Sequence, residues 1–74
     1  MTILEMRHFF DENERWLTAV LEQGRASRTL RFSGSALDVA RAIVGSLEGA
    51  MMLARSYADV SRFEVAADRL LAEI

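Results

Sequence analysis

The stretch from Ser35 to Tyr57, SALDVARAIVGSLEGAMMLARSY, constrains the fold of this chain more than any other. Ser35 with Asp38 three positions on resembles a capping box, which sets a helix start, and Gly34 before it lets the chain turn. The larger polar side chains Asp38, Arg41, Glu48 and Arg55 then recur on one narrow stripe. A helix apolar around most of its circumference belongs in a core or an interface. One neighbouring helix covers too little of it.

Within this helix Ala42, Ser46, Gly49, Leu53 and Ser56 follow at spacings of four, three, four and three, so small side chains line one seam. Gly45 and Gly49 form G-x-x-x-G, and each glycine costs about 1 kcal/mol of helix propensity relative to alanine. A second helix backbone close to Gly49 would offset that. The seam therefore reads either as tight packing inside one subunit or as a junction between subunits.

The amount of core available bears on that choice. A chain of 74 residues makes one domain at most and buries only roughly 60% of its unfolded surface. Hydrophobic residues make up 51% of it, and no cysteine or clear metal-ligand cluster staples the core. Oligomerisation is the remaining staple. No apolar run reaches the length of a membrane span and no leader pattern opens the chain, so a soluble, cytoplasmic protein is expected. The net charge is -2, with no dense basic patch, which argues against direct nucleic-acid binding.

Proline is absent and β-branched runs are missing, so the fold class expected is all-α. Three main helices are predicted, over about 3–23, 36–57 and 62–74. In the first, Ile3, Met6, Phe10, Leu17, Val20 and Leu21 keep helical spacing, interrupted by the polar run Asp11 to Arg15. One continuous helix is the favoured reading, against a second start with Asp11 as cap and Glu14 as its partner. Gly24 is expected to close it in the left-handed conformation, with Arg25 at its negative end. Arg25, Arg28 and Arg31 read as dipole partners and solvated surface rather than a phosphate site, while Leu30 and Phe32 pin the connector. Ser61 and Glu64 are expected to form a capping box, with Val60 packing on Val65 as a staple. Phe63, Ala66, Ala67, Leu70 and Ile74 share one face of the last helix, and the short turn before it predicts antiparallel neighbours.

No enzyme chemistry emerges. His8 is the only histidine and reads as a solvated helix residue. The carboxylates Asp11, Glu12 and Glu14 read as a solvated run, and no serine has the surroundings of an activated nucleophile. No cofactor is implied. Trp16, with Met6, Phe9, Phe10, Met51 and Met52, has the chemistry of an adaptable apolar pocket, although core packing is the default for such residues.

The order NERWLTAVLEQG, a polar connector ending LRF, then ALDVARAIVGSLEGAMMLARSY and SRFEVAADRLLAEI resembles the C-terminal half of a tetracycline-repressor-like (TetR family) transcriptional regulator. The resemblance runs from about Phe9 onwards. Its more specific pieces are Trp16 and Leu17 before Gly24, the run Leu47 to Ala50 leading to Leu53, Ala54 and Arg55, and Phe63. Arg28 stands where the family usually has a glycine. The resemblance implies a truncated regulator, or a short reading frame keeping the dimerisation half, without a DNA-reading helix-turn-helix. It implies a homodimer in which the last two helices of each subunit form an intersubunit four-helix bundle. Ala42, Ser46, Gly49, Leu53, Phe63, Ala67, Leu70 and Ile74 would face the partner, with Met6, Phe10, Trp16, Val20 and Met52 nearer a small apolar effector. The alternatives are a modulator that heterodimerises with a full-length relative, and a small-ligand carrier.

Overall fold

The computed structural model describes residues 1–74 and is all-helical. Helix α1 spans Ile3–Ala26, α2 Ala36–Ser56 and α3 Ser61–Ala72. The polar run does not interrupt α1. Asn13 donates from Nδ2 to the Phe9 carbonyl at 2.8 Å and Thr18 donates to the Glu14 carbonyl at 2.6 Å, so these polar side chains bond back onto the helix rather than breaking it. Thr2 caps α1 by accepting the Glu5 N–H at 3.1 Å, and Ser35 caps α2 by accepting the Asp38 N–H at 3.1 Å. Gly34, at φ +87°, makes the turn into α2 that the sequence anticipates.

Two boundaries differ from expectation. Gly24 does not end α1: it is helical and buried, and the helix continues to Ala26. The left-handed residue is Arg28, at φ 63°. The Arg28 N–H donates to the Arg25 carbonyl and the Thr29 N–H to the Gly24 carbonyl, the paired pattern of a Schellman closure. Glycine is needed at position 24 because Leu30 folds back over it, with Leu30 Cγ 2.6 Å from where a Cβ would stand. Ala58, at φ 50°, repeats the closure after α2, donating to Arg55 while Asp59 donates to Ala54.

The start of α3 is the second correction. No side-chain hydrogen bond links Ser61 to Glu64. Instead Asp59 accepts both the Ser61 N–H at 3.0 Å and the Ser61 hydroxyl at 2.6 Å. Val60 and Val65 both remain exposed, so a staple between them hides little surface.

Helix α2 is the shared wall of two antiparallel hairpins. On one side Leu21, 1% exposed, meets Ala36 and Ala40, and Leu17, Leu30, Phe32, Val39 and Ile43 pack around them. Glu14 pairs with Arg41 at 3.3 Å along the same joint. Helix α3 also lies along α2, while α1 and α3 do not approach each other closely. Alanines suit the centre because they bring helices near without side-chain entropy cost. The result is flattened, 38 × 30 × 15 Å, with a radius of gyration of 13.5 Å, against about 11 Å for a compact chain of this length.

Candidate association surface

The small-residue seam of α2 lies on the side that neither α1 nor α3 covers. Ala42, Ser46, Gly49 and Leu53 are all exposed, as is Gly45 between them. A Cβ built on Gly45 or on Gly49 meets nothing within 4 Å. Close packing at these two glycines is therefore not made by α1 or α3. Met52, 70% exposed, stands beside it.

The α3 residues singled out in the sequence behave differently. Phe63, Ala67, Leu70 and Ile74 are half-buried. Leu70 and Ile74 line an apolar groove of about 310 Å³ with Phe32, Val39, Ala42 and Ile43. Ala42, Leu70 and Ile74 are thus brought together, where the seam meets the end of α3. Phe63 lines a separate hollow at the opposite end of the hairpin, with Met51, Ala54, Arg55, Ala58 and Val60. This hollow is open and mainly apolar.

The residues expected near an effector do not converge. Phe10 is half-buried, whereas Met6, Trp16, Val20 and Met52 are exposed. Val20 lines a shallow hollow with Gln23, Gly24, Ser27, Thr29 and Leu30, and none of the other four joins it there. His8 and Glu12 pair at 3.0 Å on the exposed side of α1. Arg25 has a structural task. Its guanidinium lies 3.8 Å from the Phe32 ring centroid and donates to the Phe32 carbonyl at 3.0 Å and the Gly34 carbonyl at 2.6 Å, tying the connector to the end of α1.

At the α2–α3 turn, hydrogen bonds from the Ser61 hydroxyl and backbone, with the nearby charge of Arg62, hold the Asp59 carboxyl below its ordinary value of 3.8. Arg62 also stacks on Tyr57, its guanidinium carbon 3.8 Å from the ring centroid. Asp59 lies outside the capping-box pattern, because its partner is two residues away rather than three. The D-x-S order of an Asx turn is the signal that finds it.

No helix is long and apolar enough to cross a membrane. Scanned against protein-family models, and searched against curated proteins and solved structures, the chain matches none.

Proposed function

We propose that this chain is a homodimerising helical module, the dimerisation portion of a tetracycline-repressor-like regulator that does not read DNA by itself. One observation carries the association: the α2 seam is open along Ala42, Gly45, Ser46, Gly49 and Leu53, with free space over both glycines. Mid-helix glycines lower helix propensity, and only a closely approaching helix turns that loss into contact. The half-buried Leu70 and Ile74, beside Ala42, extend the surface onto α3, so that two copies of α2 and α3 assemble a four-helix bundle. The order of motifs along the chain supports the family assignment. An effector site has less support, since the residues proposed for it share no hollow.

The surface area agrees with this reading. The isolated chain exposes 5840 Å², whereas a compact monomer of its mass exposes about 4,600 Å². A standard interface removes about 800 Å² from each partner, well within that excess.

Light scattering across a dilution series tests the proposal. The expected species is a dimer at micromolar concentration that Gly49→Leu converts to a helical monomer. A wild-type monomer throughout overturns the proposal, and a Gly49→Leu dimer places the interface elsewhere.

A further inference from the structure

The α2 seam leaves a further exposed apolar stripe, on α1, untouched. Met6, Phe9, Asn13, Trp16 and Val20 follow one another on α1 at spacings of three, four, three and four, the repeat of a coiled-coil seam. All but Asn13 are exposed, Phe9 at 50% and Trp16 at 67%. This stripe lies beside the face that α1 turns to α2, where Leu17, Leu21 and Gly24 sit, and α1 packs against the opposite side of α2 from the open glycines. No contact made through the α2 seam covers it.

We infer that this stripe is a second self-association surface, on which two α2-linked dimers of this chain pair α1 against α1 to form a tetramer. Its order is the reason for choosing a second copy as occupant. Read from either end, the stripe runs apolar, aromatic, Asn, aromatic, apolar, so an antiparallel copy related by a two-fold axis sets Phe9 against Trp16 and Met6 against Val20. Such a self-complementary patch is what an isologous interface requires.

Asn13 then meets its own copy at the centre. A single asparagine within an apolar helix seam fixes register and partner number at some cost in stability. Its amide nitrogen already bonds the Phe9 carbonyl at 2.8 Å, and its side-chain oxygen remains free to accept from the other copy.

The size of the stripe sets its rank. A buried aromatic ring contributes about 150–250 Å². At the exposures seen, Phe9 and Trp16 together with Met6 and Val20 offer roughly 400 Å² per chain, about half of what a standard interface takes from each partner. One such patch does not hold two free chains together. A dimer carries two patches, and engaging both makes the second contact intramolecular. The inference therefore rests on the α2 dimer, and it orders the two steps: on dilution the tetramer separates into dimers before the dimers separate into chains.

The lone tryptophan and the absence of cysteine make the test clean. Mass by light scattering and acrylamide quenching of Trp16 are followed over one dilution series, for the wild type and for Phe9→Glu, which retains the reporter. The expected result is a tetramer with shielded Trp16 that gives a dimer with exposed Trp16, and a midpoint raised about tenfold or more by Phe9→Glu. A dimer with exposed Trp16 at every concentration overturns the inference and leaves the α2 dimer standing. A monomer throughout overturns both. Loss of the dimer on Phe9→Glu but not on Gly49→Leu overturns the order of the two surfaces and makes α1 the primary interface.

Discussion

The two joints of α2 are built to different standards. The α1 joint has a closed centre, in which Leu21 sits on Ala36 and Ala40, Leu30 folds over Gly24, and Arg25 binds the connector through two carbonyls and a ring face. The α3 joint has none of this. Helix α3 contributes no buried residue, Ala50 is the only buried residue on the second half of α2, and the turn is held by a carboxylate cap and an exposed arginine on an exposed tyrosine. A chain of this size has core for one complete joint. The second joint leaves α3 without a buried residue and the outer face of α2 open.

The sharpest way to break the contrast is to hollow out the closed joint. Leu21→Ala is expected to cost about 3 kcal/mol, because a fully enclosed leucine leaves a cavity that the surrounding helices only partly fill. In so small a domain that is most of the stability. Leu70→Ala, at a half-buried site, should cost about 1 kcal/mol in the monomer. Thermal melts followed by circular dichroism at one low concentration compare the two, and equal losses would erase the distinction between the joints.

Gly24 and Gly49 sharpen the same contrast with one chemical change. Alanine gains about 1 kcal/mol of helix propensity at either position. At Gly24 the new Cβ meets Leu30 Cγ at 2.6 Å and Leu30 Cβ at 3.0 Å, so Leu30 must leave its seat and the net effect is a loss of about 1–2 kcal/mol. At Gly49 the space is open, and the same substitution should raise the melting temperature of the monomer. A parallel response at the two positions would show that Leu30 moves without cost.

The sequence makes the helices legible because each carries local information. The Ser35–Asp38 start, the continuous period through the polar run of α1 and the amphipathic face of α3 are short-range patterns, and all three helices lie where they indicate to within three residues. The turns are harder to read because the left-handed positions that close α1 and α2 are filled by residues that disfavour them, Arg28 and Ala58. Gly24, the glycine in reach of the first turn, serves a packing contact with Leu30, six residues on, and spacing carries no sign of that. The seam on α2 was visible as a run of small residues. Which side of α2 each neighbour takes depends on long-range packing, so its exposure, and that of the α1 stripe, emerged only from the fold.

The left-handed alanine provides a change in the stabilising direction. Ala58 holds φ 50°, where its Cβ crowds the backbone. Ala58→Gly should stabilise the α2–α3 joint by about 1 kcal/mol, less the extra freedom that glycine gives the unfolded chain. Hydrogen exchange of α3 amides reads this locally: their opening should slow while the amides around Leu21, which report global unfolding, slow less. If α3 amides do not respond, the turn is not what limits the joint.

The smallest effect is a pH dependence confined to the same joint. Asp59 accepts two hydrogen bonds from Ser61, and its carboxyl is held below 3.8 by those bonds first and by Arg62 after them. A carboxylate with a depressed value contributes its stability fully above the ordinary value and loses it as the pH falls through the lowered one. The start of α3 should therefore be unchanged from neutral pH down to about pH 4 and loosen below it. Ser61→Ala removes the hydroxyl donor, the largest of the causes, so the Asp59 carboxyl should titrate closer to 3.8 and the loosening should be smaller and complete at higher pH. Asp59→Asn keeps an acceptor but not the charge and should remove this contribution to the pH dependence. The amides of Ser61 and Arg62, followed by NMR through an acid titration, report the transition. A Ser61→Ala chain whose Asp59 titrates as in the wild type would move the cause from the hydroxyl to the backbone bond and Arg62, leaving the cap in place but reassigning what holds it.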